Sequence, residues 1–102
     1  MECYDEKIKI SIRKICCLLR ENNVLDWAEV FEGLLHKFNH DKDKKSVARS
    51  IVNVYRGGMG SFVDLVLQKD MNMMIKENDQ LEDLRHELFN ACLNYIEINE
   101  KK

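Results

Sequence analysis

Leu81, Leu84, Leu88, Cys92 and Tyr95 recur at steps of three and four, broadened by Phe89 and Ile96. Such a stripe can leave water only as one face of a helix. The same period returns in Ile8, Ile12, Ile15 and Leu19, widened by Leu18, and in Trp27, Phe31, Leu34, Leu35 and Phe38. A shorter set is Val47, Ile51, Val54 and Tyr55. Four amphipathic segments in 102 residues are the content of one domain with one modest core. The chain therefore reads as mainly α, a single helical domain over residues 1–102 with about four helices, and no proline interrupts it.

The spacing predicts helices over 5–21 and 26–39, a short third helix ending at Gly57, and a fourth running from Asn78 or Asp79 to about 98. Glu21-Asn22-Asn23 supplies the first break. Asp26, with Glu29 three residues later, is placed to cap the second helix. Asn39 to Lys45 is a polar connection. Trp27, Phe31, Leu34, Ile51, Leu84, Leu88 and Cys92 are the expected core.

Three of the four glycines fall in Arg56-Gly57-Gly58-Met59-Gly60-Ser61-Phe62, which leads into Val63-Asp64-Leu65-Val66-Leu67. Clustered glycines mark backbone that turns sharply or passes close to another group. Beyond them the period is ambiguous. Extended chain over 62–67, a turn at Gln68-Lys69-Asp70 and a return through Met73-Met74-Ile75 would make at most a short β-hairpin. The segment resembles the hallmark of a family of small, functionally uncharacterised bacterial proteins, Gly-Gly-Met-Gly-Ser-Phe-x-Asp-Leu-Val-Leu, set between helices and after a tryptophan-containing helix. Val63 stands where that family usually carries asparagine. The resemblance implies no agreed activity.

Composition removes several classes of function. A formal charge of −2 and a pI of about 5.9 lack the basic excess of a nucleic-acid binder. The apolar runs are too short for a membrane span, and the first residues lack the basic flank and apolar stretch of a secretory signal. Of the four cysteines, Cys16 and Cys17 are adjacent, while Cys3 and Cys92 lie near opposite ends. Reduced thiols in a cytoplasmic protein are the expectation.

The candidate chemistry is sparse. His36 and His40 have the spacing of two imidazoles on one helical face, but they share a polar side with Glu29, Glu32 and Gly33, and HExxH is absent. They read as a solvated pair, with no metal and no cofactor expected. His86 reads as a surface residue. The glycine segment has neither P-loop nor dinucleotide spacing. It is expected to be architectural, a structural loop of Gly57, Gly58 and Gly60 whose amides Asp64 can bond. Met71, Met73 and Met74 read as core filling.

Charge distribution is the stronger lead. The chain is locally basic from Lys37 to Arg49, whereas Asp79, Glu82, Asp83 and Glu87 crowd the first turns of the last helix. Such an acidic face suits docking onto a basic protein partner. The expectation is a non-enzymatic protein-binding module: a bacterial immunity protein that neutralises a toxin domain, such as a nuclease, by covering its active site. The alternatives are a small enzyme or ligand-binding module centred on Gly57–Asp64, or a homo-oligomeric structural subunit, with a homodimer allowed.

Overall fold

Ile8, Ile12, Ile15 and Leu19, all fully withdrawn from solvent, form the inner face of α1 (Tyr4–Glu21) in a computed structural model that describes residues 4–55, 67–69, 72–73 and 75–100. The helix ends through its own asparagines. Asn23 takes a φ of 61°, its N–H reaches the Arg20 carbonyl at 3.1 Å, and the Val24 N–H reaches that of Leu19 at 2.8 Å. These two bonds close a helix end around one left-handed residue, a role usually taken by glycine and here by asparagine. Asn22 adds a side-chain bond, its Nδ2 donating to the Leu18 carbonyl at 2.8 Å.

The same closure starts α2 (Leu25–His40) directly at Val24, so Asp26 does not cap it. Asp26 lies one residue inside the helix and stays exposed, where its charge still faces the positive end of the dipole. Phe31, Leu34 and Phe38 are buried as expected. Trp27 is only half-buried, because it sits at the edge of the core beside the α1–α2 turn, lining a shallow recess with Val24 and Leu25.

The polar connection shrinks to three residues. Asp41 Oδ1 accepts from the Asp43 N–H at 2.9 Å, and Asp43 Oδ1 accepts from the Ser46 N–H at 3.1 Å. Asp43 is thereby the N-cap of α3 (Lys44–Tyr55), with its carboxylate on the third amide. Val47, Ala48, Ile51, Val52 and Tyr55 face inward.

Gly57, Gly58, Gly60 and Asp64 lie outside the described residues, as do Met71, Met74 and the extended run expected before Leu67. Two short strands follow, β1 (Gln68–Lys69) and β2 (Asn72–Met73), paired antiparallel as Gln68 with Met73 and Lys69 with Asn72. Gln68 and Lys69, expected in a turn, are in the pairing instead. With two residues on each side it adds no layer to the fold, which is mainly α.

Ile75, expected in a returning strand, is the first residue of α4 (Ile75–Glu100). The helix starts earlier than its apolar stripe because Asn78 is not its cap; that side chain is committed to Leu67. Helix α1 packs on α2 and α4, and α3 packs on the same two, so the four close a ring around a core drawn from all of them. Leu81, Leu84, Leu88 and Cys92 supply α4's share. At the α3–α4 contact the Tyr55 hydroxyl donates to the Arg85 carbonyl at 2.8 Å, and the Tyr55 and Phe89 rings stand 5.0 Å apart. Among the described residues no helix is long and apolar enough to cross a membrane.

Candidate protein-binding surface

Asp79, Glu82, Asp83 and Glu87 are all exposed. At about 100° of rotation per residue they cover roughly 140° of α4's outer surface, in the order Glu82, Asp79, Asp83, Glu87. The arc has two unlike edges.

At one edge Glu82 Oε2 lies 3.2 Å from Arg85 Nη2, and the Arg85 side chain is only 8% exposed. Glu82 is therefore tied to a guanidinium that the fold has largely desolvated. Reversing Glu82 would break that pair, whereas no such pairing with Arg85 is involved at Asp83 or Glu87. A lysine at 82 would set a second cation against Arg85, where the charge is poorly screened. Arg85 itself occupies the step between Leu81 and Leu88 in the three-and-four pattern, an inward position, and the residue as a whole is 6% exposed.

At the other edge Asp83 and Glu87 meet α1. The first half of α1 (Tyr4, Lys7, Ile10, Ser11) lies opposite the Glu87 to Asn94 stretch of α4, and its second half (Lys14, Cys17, Leu18, Glu21) opposite Gln80 to Glu87. The two helices thus run antiparallel. Their outer seam holds two adjoining hollows of about 330 and 400 Å³, with Glu87 on the wall of both. Residues 7, 11, 14, 18 and 21 on one side and 80, 84, 87, 91 and 94 on the other alternate steps of three and four. That period keeps one stripe of each helix turned toward the seam along its length.

The lower hollow has Leu18 and Leu84 as its floor and Glu21, Asp83 and Glu87 among its walls, with Lys14 the cation present. In the upper one Ser11 and Ala91 are buried, while Ile10 remains 44% exposed. Glu21 was not legible as a site residue. It comes from the other end of the sequence, and only the packing of α1 on α4 brings it to Asp83.

The buried ionisable groups serve packing. Burial pushes the Cys92 thiol up to about 12, and burial, with Glu32 adding to it, pushes the Cys16 thiol up to about 11. Burial likewise holds the Tyr55 hydroxyl protonated far above the ordinary phenol range. Among the described residues Cys16, Cys17 and Cys92 are free, and only Cys17 is exposed. His36, His40 and His86 are exposed, and no group of three or more His, Cys, Asp or Glu among the described residues could hold a metal ion.

A domain of unknown function, DUF6966, matches residues 20–75, more than half of the chain. The chain belongs to that family. The DUF6966 match takes in α2, α3, the glycine segment and the two short strands, and stops where α4 begins, so Asp79, Glu82, Asp83 and Glu87 lie beyond it. No curated protein and no solved structure matches the chain.

Proposed function

We propose that this chain is a non-enzymatic protein-binding module, an immunity protein of the bacterial cytoplasm that neutralises a toxin by sitting over its active site. The contact surface is the α1–α4 seam together with the acidic arc beside it. The observation that carries this reading is the lower hollow, where three carboxylates, Glu21, Asp83 and Glu87, surround a floor of Leu18 and Leu84. An apolar centre with a charged rim is the anatomy of a protein contact. The sign of the rim favours a basic partner, such as a nuclease whose active site is built to receive phosphates. Complementary charge would accelerate encounter and select among partners.

The experiment is a search for a toxin gene beside this one, followed by association kinetics with its toxin domain at low and high salt. Asp83→Lys with Glu87→Lys should slow association at low salt, and the difference should shrink as salt screens the field. Unchanged, salt-independent association would remove the seam as the contact surface. Absence of any neighbouring toxin gene would remove the immunity reading.

A further inference from the structure

His36 and His40 lie four residues apart in the last two turns of α2, both exposed, with ring centres 4.5 Å apart and ring planes inclined by 46°. Residues at that spacing are neighbours on one helical face. The rings are already side by side, which is what a shared ion needs. With metal–nitrogen bonds of about 2.0–2.1 Å each ring centre stands roughly 3.2 Å from a bound ion, so two imidazoles are about 4.5 Å apart at a right angle and about 5.2 Å apart at the tetrahedral angle zinc prefers. Rotation of the two exposed side chains brings the pair from 4.5 Å onto one ion.

We infer that His36 and His40 form a two-point chelate for a late first-row divalent ion such as Zn²⁺. Neutral imidazole suits zinc, copper and nickel, and geometry with ligand type decides among the metals that a site accepts. No third histidine, cysteine or carboxylate among the described residues completes the set, so water fills the remaining positions. The site is open rather than structural, in contrast to closed four-ligand centres. Glu32 lies one turn earlier on the same face, but its carboxylate is engaged by Arg20. The inference is independent of the protein-binding reading, because the pair lies on α2, away from the α1–α4 seam.

Binding also has a structural consequence. His40 is the last residue of α2, and helix ends fray because their last carbonyls lack partners within the helix. An ion joining His36 to His40 closes the final turn, and it stabilises the folded chain to the extent that the unfolded chain binds it less well.

The test is calorimetric titration with ZnCl₂ in a Cys3→Ser, Cys17→Ser background, so that neither thiol competes. One equivalent should bind, and the thermal midpoint should rise with zinc concentration. Loss of a ligand should weaken binding at least as much as loss of a group that merely orients one, about 10–100-fold. His40→Ala and His36→Ala should each show that loss, while His86→Ala should not. His40→Ala combined with Lys37→His keeps the histidine count but sets the rings about 100° apart around the helix, and should bind as weakly as His40→Ala alone. Circular dichroism of each variant without metal establishes that its fold is retained. Undiminished affinity in His40→Ala, recovery in the Lys37→His variant, or no binding at millimolar zinc overturns the inference.

Discussion

Asn78 holds both backbone polar groups of Leu67: its Oδ1 accepts from the Leu67 N–H at 2.7 Å and its Nδ2 donates to the Leu67 carbonyl at 2.9 Å. One side chain on α4 thus satisfies a residue eleven positions earlier and seats the 1%-exposed Leu67 side chain in the core. Asn78→Ala should cost about 1–3 kcal/mol per Leu67 group left buried without a partner. Asn78→Asp should also destabilise, since it keeps an acceptor for the Leu67 N–H but sets a carboxylate oxygen against the Leu67 carbonyl. Chemical denaturation measures both, and hydrogen exchange at the Leu67 amide should quicken in the alanine variant. Equal stability of Asn78→Ala and the parent would mean that the contact is not held in solution.

Asn23 gives an opposite kind of test, because its left-handed φ of 61° is a conformation glycine adopts without penalty. Asn23→Gly should change stability by only a few tenths of a kcal/mol, whereas Asn23→Val should destabilise by about 1–3 kcal/mol. Thermal midpoints of the two variants decide it. If valine is tolerated as well as glycine, the α1–α2 turn closes differently.

Most of the fold was legible because helix periodicity is a local signal. The stripes of α1, α2 and α4 were readable from Ile8 to Leu19, Phe31 to Phe38 and Leu81 to Cys92, and those side chains are buried except Leu35 and Phe89, which are partly so. The errors fall where a side chain answers to a distant partner. Asn78 looked like a cap and instead bonds Leu67, eleven residues earlier. The candidate surface was half legible for the same reason. Asp83 and Glu87 stood out as a charge run, but Glu21 joins them only through the antiparallel seam.

The core has a direct test in Leu88, which is fully buried, against Ile10, which is 44% exposed. Leu88→Ala should cost about 2–5 kcal/mol, the range for leucines that leave a cavity. Ile10→Ala should stay within about 0.5 kcal/mol, as for surface changes. Comparable losses at both sites would mean that the α1–α4 seam is covered in the folded protein.

Stability should fall on the alkaline side. Cys92 and Cys16 stay protonated in the folded chain up to about 12 and about 11, whereas the unfolded chain releases those protons from about pH 8.5. Below that pH both states are protonated and the contribution is complete. Above it the unfolded state binds fewer protons, so stability declines as pH rises toward the folded values, by up to about 1.4 kcal/mol per pH unit for each thiol. Denaturant midpoints between pH 7 and 10 should show the decline. Cys92→Ala should be less stable at pH 7 through lost packing, yet should show a shallower pH slope than the parent. An unchanged slope would assign the alkaline loss to other groups.

The two edges of the acidic arc should separate in a single pair of variants. Glu82→Lys removes the carboxylate 3.2 Å from Arg85 Nη2 and brings a cation toward a side chain 8% exposed to solvent. It should destabilise the fold by about 1–3 kcal/mol, short of the full cost of a buried pair because Glu82 itself is 65% exposed. Asp83→Lys and Glu87→Lys face the open seam, and each should leave stability within about 0.5 kcal/mol. On the proposed function, association with the toxin should respond in a different order, with Asp83→Lys and Glu87→Lys slowing it at low salt without a change in thermal midpoint. Glu82→Gln, which removes the charge but keeps a hydrogen-bonding group near Arg85, then reports the steering contribution of Glu82 with less structural cost. If Glu82→Lys is as stable as the parent, its pairing with Arg85 does not organise the helix face. If Asp83→Lys unfolds the chain, the lower hollow is part of the core rather than a contact surface.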